Sequence, residues 1–234
     1  MVSPANHAKK GCEGEHPRAG SPAAQVRLAQ QLRPAILSVL VLTLVTGGIF
    51  PLVLFAIATP LFPYQTRGSL IQLGNTIVGS RLIGQDFTRP EWFQPRPSAA
   101  GNGYDGTASG GTNLSPSNPK LKEGVPGFAG VRALAAQYRQ RNGLTLDTPI
   151  PIDAVTRSGS GLDPDISPAN ALLQATRVAR ARRLEESAVR RLVAEHVVGP
   201  QLGFLGEPRV SVLELNLALD HLQHRSTAAS QTAR

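Results

Sequence analysis

The residues best placed to do chemistry lie in one stretch, Ser158 to Asn170, which reads SGSGLDPDISPAN. Backbone N–H groups of a Ser/Gly loop that opens a helix can bind an anion, because the helix N-terminus offers unpaired donors at the positive end of its dipole. No Gly-Lys-Ser/Thr follows, so the lysine and metal-positioning hydroxyl of an independent triphosphate site are missing. The second reading is structural: Ser167 is an N-cap, Pro168 takes the first helical position, and Gly159 and Gly161 supply turn geometry. Local chemistry favours the second reading, and the side of a membrane on which the loop sits bears on the first.

Other reactive residue types offer less. Ser158 and Ser160 have no G-x-S-x-G frame and no assignable His or Asp partner. His196 lies beside an apolar helical face with no second ligand at metal spacing and reads as a packed histidine. His221 and His224, three apart, lack a third ligand. Arg177, Arg180, Arg182, Arg183, Arg190 and Arg191 could hold anionic headgroups or an acidic partner, but on helices such a run reads first as a solvated face. No catalytic residue and no metal site is expected in this chain.

The elements that position these residues begin with an apolar run. No charge occurs from Pro34 to Thr66, and about 20 apolar residues suffice to cross a bilayer. A transmembrane helix is expected over residues 34–60, most apolar from Pro34 to Ala58, with Pro51 as a kink and Pro60 and Pro63 closing it. Ala56-Ile57-Ala58 has the form of a signal-peptidase site, yet the leader and the apolar core are both too long for a cleaved signal peptide, so an uncleaved anchor is expected. Lys9, Lys10, Arg18, Arg27 and Arg33 precede the span and only Arg67 and Arg81 lie close behind it, which points the N-terminus into the cytoplasm. Residues 1–33 read as a mobile cytoplasmic tail holding the only cysteine, Cys12, and residues 226–234 as a mobile C-terminal tail. Residues 61–225 then form one extracytoplasmic domain without disulfides. The net charge of +8 has no nucleic-acid motif beside it, so no nucleic-acid partner is expected.

Within that domain SLIQL and TIVGSRLIG flank Gly74-Asn75 and read as a β-hairpin. Gln85 to Lys120 is long and rich in Gly, Pro, Ser and Asn, but it carries Phe87, Trp92, Phe93 and Tyr104, so an ordered loop that docks on a partner is expected. Helices are expected over Val131–Arg141, Ser167–Leu184, Glu185–Val198 and about Ser211–Leu222, with an edge strand over Thr148–Ser158. The fold class is α+β: one N-terminal transmembrane helix, then a small soluble domain with a β-hairpin, a long ordered loop and C-terminal helices.

Several uncommon stretches occur in a fixed order behind the span: Gly79 to Gln85, Arg96-Pro97-Ser98-Ala99, Ser109 to Pro119, Ser158 to Pro168, Arg177-Val178-Ala179, and Val212 to Asn216. Together they resemble the KdpC family, the C subunits of the Kdp potassium-transporting P-type ATPases, over about residues 34–220. Thr112 stands where that family usually has Ser, and Ser211 where Asn is common. The resemblance implies a bacterial inner-membrane complex with a potassium-translocating subunit, an ATP-hydrolysing P-type subunit and a small membrane peptide, in contact with membrane lipid. It implies that the complex uses ATP, Mg and potassium, with none bound by this chain alone.

The implied role is assembly and stability of the complex; the ordered loop is expected to sit against the potassium-translocating subunit through Arg96, Ser109, Asn113 and Asn118. A second implied role is that of a catalytic chaperone raising the ATP affinity of the hydrolysing subunit through Ser158, Gly159, Ser160 and Gly161, which resemble the signature loop of ABC transporters, with Gln174. Charge places Ser158 outside whereas ATP is cytoplasmic, so assembly ranks first.

Overall fold

The computed structural model describes residues 28–232. The expected cytoplasmic tail lies outside the described residues as far as position 27, Cys12 included, and residues 28–33 are helical. The chain divides into two units at Leu61.

In the first unit, α1 (Leu28–Leu44), a π-helical stretch (Val45–Ile49) and α2 (Phe50–Leu61) follow without a break. Gln31–Leu61 comprises 31 residues and contains an 18-residue stretch of mean hydropathy 2.5, long and apolar enough to cross a membrane. The helix exceeds the expected span at both ends. Pro51 has no N–H to offer the carbonyl of Gly47 four residues back. The helix absorbs this by widening: the N–H of Phe50 reaches five residues back to the Val45 carbonyl, and the Thr46 hydroxyl donates to the Leu42 carbonyl at 2.6 Å. A π-helical stretch therefore stands just ahead of Pro51, the residue at which a kink was expected.

The second unit opens with α3 (Pro63–Thr66) and a hairpin of β1 (Leu70–Leu73) and β2 (Thr76–Ser80), paired antiparallel about the expected Gly74-Asn75 turn. After the long irregular stretch come α4 (Pro119–Glu123), the strand pair β3 (Gly124–Val125) and β4 (Phe128–Ala129), and α5 (Val131–Asn142). Then follow β5 (Asp165–Ile166), α6 (Pro168–Arg182), α7 (Glu186–Glu195), β6 (Val210–Ser211) and α8 (Val212–Thr232), with β5 antiparallel to β6. The architecture is the expected α+β.

The three C-terminal helices form the core. Ala171, Ala175 and Val178 of α6, Val189 and Val193 of α7, and Leu215 and Leu219 of α8 are fully buried. These are the spacings of one apolar face per helix. Phe93, from the irregular stretch, is buried among them. A second cluster packs Leu134 and Tyr138 of α5 on Ala154 and Val155.

Two expectations need correction. No strand forms over Thr148–Ser158: Pro149 and Pro151 both lack the N–H a ladder needs, and the chain makes a single 3₁₀ turn, Ile152–Ala154. Helix α8 does not stop near Leu222 but continues to Thr232, through most of the segment 226–234 expected as a tail.

Candidate functional site

No helix or strand occurs from Arg81 to Asn118, so this segment's backbone groups must find partners elsewhere. From Pro90 to Gln94 the carbonyls find them on α6 and α8. The Phe93 N–H donates to Asn216 Oδ1 at 2.8 Å, and Asn216 Nδ2 donates back to the Phe93 carbonyl at 2.9 Å. One residue on, the Gln94 N–H donates to Gln174 Oε1 at 2.7 Å, and Gln174 Nε2 donates to the Gln94 carbonyl at 3.0 Å. Arg177 Nη1 donates to the carbonyls of Pro90 and, at 3.0 Å, Trp92. Arg182 Nε donates to the Glu91 carbonyl at 2.8 Å. Every carbonyl from Pro90 to Gln94 thus accepts from a side chain of α6 or α8, which replaces the ladder partner a strand would have.

The donors are themselves fixed. Asp153 accepts from the Ser167 N–H and hydroxyl and from Asn170 Nδ2, at 2.8, 2.9 and 2.9 Å. Asn170 Oδ1 accepts from the Tyr138 hydroxyl at 2.8 Å and from Gln174 Nε2 at 2.9 Å. Gln174 Oε1 also accepts from Arg177 Nη2 at 2.7 Å, and Arg177 Nε donates to Asn142 Oδ1 at 2.9 Å. Burial, with Asp153 adding to it, pushes the Tyr138 phenol up and keeps it a donor. Burial also lowers the Arg177 guanidinium to about 10. Arg182 sits 4.1 Å over the Trp92 ring and pairs with Asp220 at 2.6 Å. Arg177 and Arg182 are therefore not part of a solvated face, as the arginine run suggested, but clamps on the loop.

Ser158 to Gly161 meets a second part of the same loop. The Gly110 N–H and the Ser109 hydroxyl both donate to the Ser160 carbonyl, at 2.8 and 3.0 Å. The Ser98 hydroxyl donates to the Gly161 carbonyl at 2.6 Å. Gly161 has φ +70°, and a Cβ there would lie 2.6 Å from the Ala100 nitrogen and 2.7 Å from the Gly110 carbonyl oxygen, so only glycine fits. A Cβ on Gly159 would meet nothing within 4 Å. Ser158 is buried. Ser167 caps α6 as expected, accepting from the Asn170 N–H at 3.1 Å, with Pro168 at the first helical position.

The residues expected to meet a partner or a nucleotide fall into three situations. Ser109 is brought against Ser160, and Arg96 is tied to Asp163 at 2.7 Å. Asn118 caps α4 through the Lys120 N–H at 2.9 Å. Asn113 is exposed in left-handed backbone, φ +50°. Gln174 is fully engaged by Gln94, Asn170 and Arg177 and lines a cleft of about 320 Å³ together with Arg96, Tyr104, Arg141 and Arg157. The Tyr104 hydroxyl donates to the Arg96 carbonyl; burial and the neighbouring Asp86 and Asp163 raise its pKa. His196 holds the Leu192 carbonyl at the end of α7, its Nδ1 2.8 Å away. Among the described residues no His/Cys/Asp/Glu group has metal-binding geometry.

Asn216, Arg177, Arg182 and Asp153 were not singled out for these roles from the sequence. The signal for Asn216 was present: it lies at the register of Val212 and Leu219 on an apolar face, where a polar side chain must have a buried partner. Nothing in the sequence says that the partner is Phe93, which is 123 residues away.

The family profile described as "KdpC: K+-transporting ATPase, c chain" matches residues 32–221. A potassium-transporting ATPase KdpC subunit of Beijerinckia indica subsp. indica is 52% identical over 193 residues, covering 82% of this chain and 94% of the relative. The subunit of the same name from Mycobacterium tuberculosis strain H37Rv is 48% identical over 195 residues, 83% of this chain and 100% of the relative. That of Koribacter versatilis is 46% identical over 200 residues, 86% of this chain and 99% of the relative.

Proposed function

The chain belongs to the KdpC family, the C chain of the potassium-transporting ATPase, and from that premise we propose that it is a non-catalytic accessory subunit needed to assemble and stabilise a high-affinity, ATP-driven potassium uptake complex. Its partners are the potassium-translocating subunit, the ATP-hydrolysing P-type subunit and the small membrane peptide; ATP, Mg and potassium are used by the complex and not held by this chain. The Gln31–Leu61 helix anchors it in the bacterial inner membrane, with the N-terminus cytoplasmic and the main domain outside, in line with the basic residues ahead of the span.

The observation that carries this reading is that Gln174 and the Ser158–Gly161 loop are tied into the packing of the domain itself. Gln174 spends its amide on Gln94, and the carbonyls of Ser160 and Gly161 are taken by Ser109, Gly110 and Ser98. Such a surface is a fixed shape for a partner to bind. The alternative, a catalytic chaperone acting on ATP through Ser158–Gly161 and Gln174, would have Gly159 and Ser160 exposed to a nucleotide but Gln174 and Ser158 buried, at 1% and 7% exposed.

Co-purification from native membranes tests the proposal. The other subunits are expected to remain with the wild-type chain and to fall apart or turn over in a strain lacking it; a complex that purifies intact without this chain refutes an assembly role. Protease added to intact spheroplasts is expected to digest the domain after Leu61, and protection until the membrane is broken reverses the orientation. ATP titrated by calorimetry onto the full chain in detergent is expected to give no saturable heat.

A further inference from the structure

The midpoint of the long apolar helix carries a polar deficit. Thr46 is the central residue of Gln31–Leu61, and its carbonyl has lost both of the N–H groups that a helix could offer it. The α-helical donor, Phe50, is turned to the Val45 carbonyl instead. The π-helical donor would be Pro51, which has no N–H. The next carbonyl, that of Gly47, loses its donor four residues on for the same reason. Widening the helix relieves the clash of the proline ring with that carbonyl but leaves acceptors unmet.

Side chains of the helix do not repair this. The hydroxyls of Ser38, Thr46 and Thr59 each donate to the carbonyl four residues back, at 2.7, 2.6 and 2.7 Å. The Thr43 hydroxyl has no hydrogen-bond partner among the described residues. It cannot reach, because residue 43 lies about 6 Å before residue 47 along the axis and its Cβ tilts away, toward the N-terminus. Gly47 and Gly48 leave the backbone bare: a Cβ on Gly47 would meet nothing within 4 Å, and one on Gly48 only Leu44 Cδ1 at 3.7 Å.

We infer that the carbonyls of Thr46 and Gly47 accept a hydrogen bond from an N–H or O–H side chain on a transmembrane helix of another subunit of the potassium-transporting complex. The inference rests on membership of that complex. Lipid does not fit, because hydrocarbon tails have no donor and a backbone acceptor at mid-bilayer must find one within protein. A second copy of this chain fits no better. In a parallel pair related by a two-fold axis like groups meet at like depth, which sets carbonyl against carbonyl and leaves the Thr43 hydroxyl a turn away. The two glycines admit the close approach of a neighbouring helix that such a bond requires.

The test uses the full chain expressed with the other subunits. A photoreactive p-benzoylphenylalanine in place of Phe50, three residues beyond Gly47 on the same side of the helix, is expected on irradiation of native membranes to crosslink a transmembrane segment of another subunit. Mass spectrometry should find a side-chain donor in that segment within about one turn of the crosslink. Making that donor apolar strands the carbonyls, whereas Pro51→Ala, which returns an N–H to the helix, strands the donor. Each change alone is expected to lower recovery of this chain with the other subunits about fivefold to tenfold, and the two together should return it to within about twofold of wild type. Gly47→Leu is expected to lower recovery about tenfold or more, with membrane insertion of the chain unchanged. Crosslinks to lipid alone, to a second copy alone or to nothing, a crosslinked segment without a donor, or a double variant no better than the worse single one would each overturn the inference. Full recovery with Gly47→Leu also overturns it while leaving the assembly role intact. If the wild-type chain itself retains no other subunit, it is the assembly role that falls.

Discussion

Asn216 holds Phe93 by both of its backbone groups, accepting from the N–H at 2.8 Å and donating to the carbonyl at 2.9 Å. The pair fixes a fully buried point of a long irregular loop to α8, and Phe93 and Asn216 are almost wholly inaccessible, at 0% and 1%. Asn216→Leu leaves a buried donor and a buried acceptor unmet, at about 1–3 kcal/mol for each. A loss of about 2–5 kcal/mol is expected in chemical denaturation of the full chain. Trp92, the only tryptophan, adjoins Phe93, so its fluorescence follows release of the loop directly.

The two glycines of the Ser158–Gly161 loop are expected to respond differently. Gly161→Ala meets backbone atoms at 2.6 and 2.7 Å and is strained at φ +70°, whereas Gly159→Ala meets nothing within 4 Å. Thermal melting should fall sharply for the first, by about 2 kcal/mol or more, and change by less than about 1 kcal/mol for the second. If the loop acted instead by bringing its glycine backbone up to a phosphate, potassium-dependent ATPase activity of the complex would be lost with Gly159→Ala while stability held.

Arg182 serves the Glu91 carbonyl, Asp220 and Gln223 at once and stacks on Trp92. A lysine ammonium cannot reproduce that fork or its planar stacking. Arg182→Ala is expected to cost about 2–4 kcal/mol, less than a fully enclosed ion pair because Asp220 is 40% exposed. Arg182→Lys should restore under half of that loss. Equal stability of Arg182→Lys and wild type in urea titration would assign the clamp to charge alone.

Asp165 gives a pH dependence. Burial raises its pKa, against the pull of Arg209 at 2.9 Å. A carboxyl raised in the folded state binds more protons folded than unfolded, so its contribution to stability falls as pH rises through the carboxylate range. Asp165→Asn does not titrate. The stability of Asp165→Asn relative to wild type is therefore expected to increase as pH is raised from about 3 to about 6, read from denaturation midpoints at each pH. A difference independent of pH would mean that the Arg209 pair just offsets burial, and one of opposite slope that it outweighs it.

The sequence by itself determined what depends on local composition and period. An uncharged apolar run fixes the long helix, because no other structure satisfies its backbone in a bilayer. Ser167-Pro168 fixes the start of α6 through short-range capping. Gly74-Asn75 between β-branched runs fixes the hairpin, and the apolar spacings of α6, α7 and α8 are those that became the core. The ordered set of motifs identified the family. Tertiary structure alone decided the partners of the loop. Whether Arg177 and Arg182 face water or grip Pro90, Glu91 and Trp92 depends on which chain segment crosses α6, and helical periodicity carries no record of that. The same holds for Ser109 against Ser160, and for Asn216 against Phe93. A buried polar side chain announces only that it needs a partner; the packing of distant segments supplies it.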